Sequence, residues 1–413
     1  MYSFGIRVIS AWNPKAKKWL TGRKQIFSKI NAQLPAVGSK PVWMHCASLG
    51  EFEQGRPLLE QIKALNPQQK IVLTFFSPSG YEVMKDYTGA DHIFYLPMDS
   101  AKNAQQFLDA VNPSLVLWVK YEYWYYYLTE LKARQITTLL ISGIFRKSQP
   151  FFSWYGDIWR KMLDCFTHFF VQNSMSKDLL AKLGVTKNVD IIGDTRFDRV
   201  LEIAEAYIPV PKIDSFCGDS QVLVAGSTWE EDEFELLHFV KANRHIKFII
   251  APHEINKVNL QDVMEEFPNA VFYSDWIAQD ASIVNDQQVL PNVLIIDNMG
   301  MLSRIYRYAT VAFIGGGFGA DGVHNVLEAA VYGKPVVFGP VYDKFEEAIG
   351  LINAGGAKTV DGPISLDKAL NSLFQHENER KSMGAQAKDY VYKHAGASKK
   401  IIGFIQENRL LTS

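Results

Sequence analysis

From residue 41 onward, short apolar runs alternate with amphipathic stretches of helical length. Candidate strands fall at 42–46, 71–76, 92–96, 115–119, 137–141, 168–171 and 190–192. A second series follows at 222–225, 247–251, 270–273, 293–296, 311–314 and 336–338. Near-continuous apolar strands separated by helices predict parallel sheets covered on both faces. Residues 207–220 interrupt the alternation with two prolines and predict a linker. The chain therefore reads as α/β, with two doubly wound domains at 41–206 and 221–396. Residues 1–40 form a leader, and 397–413 hold a helix expected to pack back on the first domain. Ligands bind such sheets at the carboxyl ends of their strands, so the two domains are expected to face a central cleft.

At 413 residues the chain exceeds one ordinary core. Its net charge of −1 conceals an asymmetry. The first 50 residues carry eight Lys or Arg and no Asp or Glu, against 35 basic and 44 acidic residues in the remainder. A basic leader on an acidic body points to an anionic membrane surface as partner rather than nucleic acid. Tyr2, Phe4, Ile6, Val8, Ile9 and Trp12, followed by Lys15, Lys17, Lys18, Trp19, Arg23 and Lys24, fit an interfacial anchor. The apolar run is about a dozen residues, whereas a spanning helix needs about 20. The same pattern also fits a helix docked on the protein's own body with its basic side solvated. Cys46, Cys165 and Cys217 are widely spaced and read as buried thiols of a reducing compartment.

The densest chemistry lies in 311–340, VAFIGGGFGADGVHNVLEAAVYGKPVVFGP. It predicts a strand, a turn rich in glycine (Gly315, Gly316, Gly317, Gly319, Gly322), a helix from about Val323 and a further strand. Glycines admit positive φ and close approach of a ligand to the main chain, and a helix start attracts phosphate or carboxylate. On a helix, His324, Asn325 and Glu328 share one face, where a carboxylate can accept hydrogen bonds from a ribose diol. The block thus reads as a nucleotide-sugar site. Gly317 to Gly322 also satisfies G-x-G-x-x-G, with Asp343 near dinucleotide spacing, but a nicotinamide site gives the His-Asn-x-x-Glu face no task.

In the first domain, Ser48-Leu-Gly50-Glu51 follows the first strand. Gly50 is expected to permit a tight turn, and Glu51 to sit at a helix start, as a helix cap or as a base for an acceptor hydroxyl. Glu122 follows the fourth strand within an aromatic run, and Arg196 lies in Gly193-Asp-Thr-Arg-Phe-Asp198, where a guanidinium can pair a carboxylate or phosphate. In the second domain, Gly226-Ser-Thr-Trp-Glu230, Ala251-Pro252-His253-Glu254 and Asp297-Asn-Met299-Gly300-Met301 each follow a strand. No H-E-x-x-H, C-x-x-C, Walker A or closely spaced Asp pair suggests a metal.

WMHCASLGE, the YEYW segment, IIGDTRFD, AGSTWEEDE, APHE, DNMGMLSRIYRYATVAFIGGGF and GVHNVLEAAVYGKPVVFGP occur in the order seen in the 3-deoxy-D-manno-octulosonic acid (Kdo) transferases, which the chain resembles over about residues 41–395. The resemblance implies a GT-B glycosyltransferase of two Rossmann-like domains. It further implies inverting, metal-independent transfer of Kdo from CMP-Kdo to a lipid A precursor, lipid IV(A), at the cytoplasmic face of the bacterial inner membrane, with no cofactor. By motif, Glu51 matches the general base and Glu122 a stabiliser of the transition state, and Arg196 stands in that second role in place of the lysine of G-N-x-K-F-D. Ser48, Gly50 and His324 are candidate substrate contacts. The CMP contacts map to Pro252, His253, Met299, Gly300, Met301, Asn325, Val326, Leu327 and Glu328. Three further positions depart from the family pattern. Lys120 replaces the first glutamate of E-T-E, Met301 replaces the glutamate of M-G-E-L, and APHE replaces P-R-H-P. The alternative reading is a sugar-nucleotide epimerase, or a GT-B transferase with another donor.

Overall fold

The computed structural model describes residues 10, 12–34, 40–120, 122–267, 269–278 and 291–411. The chain divides into two units, Met1–Arg199 with Ala395–Ser413, and Val200–His394.

The first unit is built on seven parallel strands: β1 (Val42–Cys46), β2 (Ile71–Phe75), β3 (His92–Tyr95), β4 (Leu115–Val119), β5 (Thr137–Gly143), β6 (His168–Val171) and β7 (Val189–Ile191). Their order is β3-β2-β1-β4-β5-β6-β7. Every residue of β1, β2 and β4 is buried, because alternate side chains enter two cores, one on each face. Trp43, Val72, Val116 and Trp118 enter one core, and Met44, Leu73, Leu115 and Leu117 the other. The helix Ala397–Glu407 contributes Ile401, Ile402 and Ile405 to the second of these. Its entry is fixed by Asp198, whose carboxylate accepts from the Gly396 and Ser398 N–H groups at 2.5 and 2.6 Å.

The basic segment at the N-terminus folds onto this unit. Asn13 caps the helix Pro14–Gly22 by accepting from Ala16 N–H at 3.1 Å. Trp19 is buried, and Arg23 stacks over the rings of Trp19, Phe76 and Tyr95 while donating to the Phe76 and Leu96 carbonyls. Trp19 and Arg23 therefore leave the anchor set proposed from sequence: they hold the helix down. Lys15, Lys17, Lys18 and Lys24 remain exposed, and so does Trp12. The run Tyr2 to Ile9 lies outside the described residues. Among those described, no helix is long and apolar enough to cross a membrane.

The second unit holds β8 (Val222–Thr228), β9 (Lys247–Pro252), β10 (Ala270–Phe272), β11 (Val293–Ile295), β12 (Val311–Ile314), β13 (Val336–Phe338) and β14 (Ala357–Thr359). They are all parallel, in the order β10-β11-β9-β8-β12-β13-β14. The edge strand β14 was not foreseen. It has only three residues, Ala-Lys-Thr, and one of them is buried.

Residues 207–220 are part of this unit rather than a linker between units. Their prolines stop the preceding helix, but Val210, Ile213 and Phe216 have apolar surface to cover. Tyr207 donates to the Tyr308 hydroxyl at 2.6 Å, and Trp276 donates to the Lys212 carbonyl at 3.0 Å. The units divide at 199/200, inside the helix Arg196–Glu205. Cys46, Cys165 and Cys217 are all buried and free.

Candidate functional site

In the first sheet the strand order reverses between β1 and β4, which are paired with His45 opposite Trp118. A doubly wound sheet binds ligands at such a switch point. Glu51 follows β1 and Glu122 follows β4.

Ser48 begins the helix Leu49–Leu65 and is half-buried. Glu51 stands at its third position, and its carboxylate accepts the Ala47 N–H. The bond ties the exit of β1 to the first turn of the helix, and it reaches the residue before the N-cap Ser48 rather than a free N–H of the helix itself. Gly50 corrects another expectation: it lies inside the helix, and an added Cβ would meet nothing within 4 Å. No tight turn requires a glycine there, and its absent side chain leaves the space over the helix start open.

Glu122 is held by a polar row that runs across three strands. Its Oε2 lies 3.1 Å from His45 Nε2 and accepts from Trp124 Nε1 at 3.0 Å, while Trp118 Nε1 donates to its main-chain carbonyl. Behind it, His45 Nδ1 is 2.9 Å from Thr74 Oγ1, which also accepts from Trp43 Nε1 at 2.8 Å. Burial pushes the Cys46 thiol well up, and the charges of Glu51 and Glu122 add to that, so both carboxylates act on one point at the end of β1.

Arg196 is already paired. Its Nε and Nη2 donate to Asp194 Oδ2 at 2.9 and 2.7 Å. Burial opposes charge on Asp194, but Arg196 and Lys120 outweigh it and hold the carboxyl below its usual range. Thr195 donates to the Gln54 carbonyl at 2.7 Å and meets Ser142 Oγ at 3.0 Å, which ties this loop to the helix of Glu51. Lys120 takes φ +58, an unusual conformation for a residue with a Cβ, at the position where the family pattern has a glutamate.

In the second unit the switch point lies between β8 and β12. Here the glycine block departs from expectation. The helix begins only at Leu327 and spans four residues, Leu327–Ala330. The glycine loop also has an occupant, Asp232 from the helix Glu230–Ala242. Its carboxylate accepts from the Gly316, Trp229 and Phe318 N–H groups at 2.7, 3.0 and 3.4 Å. The glycines are needed because backbones meet: a Cβ on Gly315 would lie 2.3 Å from the Ser227 carbonyl, and one on Gly317 2.5 Å from the Gly339 nitrogen. Phosphate binding by this loop and helix start is therefore not supported.

Three rings stack instead. The His253 ring lies 4.6 Å from Trp229 and 4.5 Å from His324, with interplanar angles of 28° and 15°. Trp229 Nε1 donates to His324 Nε2 at 3.0 Å, so a neutral His324 carries its proton on Nδ1. Burial and the neighbouring His253 push its pKa down to about 4, against the opposing pull of Asp321. Asn325 accepts from Leu327 N–H and donates to Glu328 Oε1 at 3.1 Å, which orients the carboxylate proposed for the ribose.

The other nucleotide candidates divide by exposure. Met299 is exposed, and Gly300 has φ +87. Pro252, Met301, Val326 and Leu327 are buried, so Val326 and Leu327 have side chains in the core and only main chain to offer. Sequence reasoning missed Thr74 and gave no role to His45, Trp229 or Asp232, although its motifs contain them. His45 gave one signal, a polar residue in the middle of an otherwise apolar strand. Among the described residues, no group of three or more His, Cys, Asp or Glu is placed to hold a metal.

The family model described as 3-deoxy-D-manno-octulosonic-acid transferase (kdotransferase) matches residues 20–199. A 3-deoxy-D-manno-octulosonic acid transferase of Haemophilus influenzae is 24% identical over 425 residues, covering 97% of this chain and 94% of its own. Its counterpart in Chlamydophila psittaci is 26% identical over 377 residues, covering 88% and 85%. A bifunctional glycosyltransferase/methyltransferase of Fusobacterium nucleatum is 26% identical over 381 residues, 90% of this chain, which spans 55% of that longer protein. Among solved structures, the UDP-GlcNAc 2-epimerase of Neisseria meningitidis bound to UDP-GlcNAc superposes with a TM-score of 0.61 at 16% identity, over 89% of this chain and 100% of that one. The MurG of Acinetobacter baumannii gives 0.52 at 11%, over 89% and 99%. At these identities the structural likenesses establish the fold alone, which is GT-B. With its N-terminal unit matched by the family model and most of its length aligned to these relatives, the chain is similar to the 3-deoxy-D-manno-octulosonic acid transferases, which are glycosyltransferases.

Proposed function

We propose that the chain transfers Kdo from CMP-Kdo to a lipid A precursor, lipid IV(A), with inversion and without a metal ion, on the cytoplasmic face of the bacterial inner membrane. One observation carries this reading. In a chain similar to these transferases, Glu51 and Glu122 flank the strand switch of the first sheet. Glu51 takes the proton of the acceptor hydroxyl as its oxygen bonds to the anomeric carbon of Kdo. The bond from that carbon to phosphate breaks, and its electron pair leaves with CMP. Glu122 sets negative charge against the positive charge developing at the sugar. Arg196, steadied by Asp194, supplies a cation for the sugar carboxylate or the departing phosphate.

The second unit takes the nucleotide. Glu328, oriented by Asn325, accepts from the ribose diol. His253 and the segment Met299 to Met301 lie beside CMP. His324, whose pKa is near 4, acts there as a neutral donor from Nδ1. The test is to incubate the full-length protein with CMP-Kdo and a tetraacyl lipid A precursor, with and without chelator, and to weigh the lipid. The expected product is heavier by whole Kdo residues in both arms. Unchanged lipid, or product only without chelator, sinks the corresponding part of the reading.

A further inference from the structure

We propose that His45 is a positioning residue that aims Glu122, and that Thr74 sets the tautomer in which it does so. This rests on the reading of Glu122 as a group that acts on the transferring sugar. Thr74, His45 and Trp118 occupy one row across three adjacent strands, since His45 pairs with Thr74 on one side and with Trp118 on the other. His45 is fully buried, so it reaches a substrate only through another group.

The proton positions follow from the donors. Trp43 Nε1 can only donate, so it occupies one lone pair of Thr74 Oγ1. An unprotonated Nε2 on His45 would set a lone pair 3.1 Å from a carboxylate oxygen, so Nε2 carries a hydrogen and donates to Glu122 Oε2. In the neutral ring, Nδ1 then accepts the Thr74 hydroxyl at 2.9 Å, a shorter contact than the 3.4 Å to the Met44 carbonyl. Trp124 Nε1 donates to the same Oε2, and Trp118 Nε1 holds the main chain of Glu122. Among the described residues, both side-chain donors to Glu122 fall on Oε2, which leaves Oε1 to face the ligand.

The test compares His45→Leu, His45→Gln, Thr74→Val and Thr74→Ser with Glu122→Ala in the full-length protein, using CMP-Kdo and the tetraacyl lipid A precursor. Loss of a hydrogen bond to a charged group lowers an equilibrium by about ten- to a hundredfold. The expected result for His45→Leu is therefore a kcat about ten- to a hundredfold lower, with the KM for CMP-Kdo within about threefold. Gln places an N–H near the position of Nε2 and recovers most of that loss. Thr74→Val loses about tenfold, and Thr74→Ser restores it. The decisive measurement is a double-mutant cycle: in the Glu122→Ala background, His45→Leu costs nothing further, because its effect passes through Glu122. Losses that add fully, or wild-type kcat in folded His45→Leu, overturn the inference and leave His45 as packing.

If Glu122→Ala itself transfers at the wild-type rate, the parent reading of Glu122 falls and takes this one with it. If His45→Leu does not fold, the Thr74 pair decides by the same criterion. Nitrogen-15 shifts of the histidine rings give a readout independent of transfer. The expected neutral form is Nε2-protonated, and an Nδ1-protonated neutral ring at His45 refutes the proposal.

Discussion

Glu51 accepts the Ala47 N–H whether or not it also takes a proton, so the two roles have to be separated by a side chain that keeps one of them. Glutamine does this: its amide oxygen can still accept the Ala47 N–H, while its basicity is gone. Glu51→Gln should retain its melting temperature and its CMP affinity by calorimetry, yet lose about 10²–10⁴ in turnover, the usual worth of a positioned general base. Near wild-type turnover would leave Glu51 with that bond alone. A second carboxyl makes a statement about pH. Burial pushes Glu233 up to about 7, reinforced by Glu266, Asp232 and Glu230 and opposed by its bond from Thr228. Its folded pKa lies above the unfolded value, so between about pH 4.5 and 7 the folded state holds the extra proton, and stability falls as pH rises through that window. Glu233→Gln should remove the penalty, which is at most roughly 3 kcal/mol. It should raise the melting temperature by several degrees at pH 8 and change it little near pH 4.5. An equal gain at both values would contradict the assignment.

The glycine loop and the short turn after it depend on two side chains that fill different needs. Asp232 satisfies N–H groups of the loop at Gly316 and Phe318, so Asp232→Ala leaves buried donors unpaired, at a cost of about 1–3 kcal/mol. A denaturant titration should show a lower midpoint, whereas added CMP should still stabilise the variant. If phosphate had been the natural occupant of the loop, removing Asp232 would strengthen phosphate binding instead. Glu328→Ala should weaken CMP by roughly ten- to a hundredfold through the lost charge-assisted bond, with unchanged affinity refuting the ribose role. These elements also show where sequence legibility ends. Most of the thirteen strands could be read because a doubly covered parallel strand writes itself as an unbroken apolar run. β14 could not, since Ala-Lys-Thr lies at an edge with one residue buried. The helix start at Leu327 was misplaced because glycines, His324 and Asn325 follow loop geometry set by backbone contacts to Ser227 and Gly339. The order of motifs singled out Glu51, Glu122 and Glu328 as candidates. Asn325 lies three residues from Glu328 and could be read with it, but the partner of Glu122 was hidden because His45 is 77 residues away, as was that of the Gly316 amide, 84 from Asp232. Such pairings arise only when strand order is known.

Across the whole molecule, charge is unevenly distributed, and the structure changes how the proposed membrane contact should be tested. Deleting residues 1–24 would remove Trp19 and Arg23, which pack against Phe76 and Tyr95 at the ends of β2 and β3. Such a truncation confounds loss of a membrane contact with unpacking of the first unit. Reversing Lys15, Lys17 and Lys18 to glutamate leaves that packing alone, since all three are exposed on the helix Pro14–Gly22. Each basic residue near an anionic surface contributes about 1 kcal/mol, and salt screens the contribution within a Debye length of roughly 8–10 Å. Reversal replaces three attractions with three repulsions, so partitioning onto anionic vesicles should fall by at least about 10²-fold by sedimentation. The same protein should keep its melting temperature and its turnover on detergent-dispersed acceptor. High salt should release the wild type part of the way, because Trp12 adds apolar area that salt does not screen. Removal of residues 1–12 should then make release by salt complete. A wild-type protein that stays in solution beside anionic vesicles at low salt would end the case for the leader as an anchor. The exposed lysines would then serve only to solvate a helix whose buried side is held by Trp19 and Arg23.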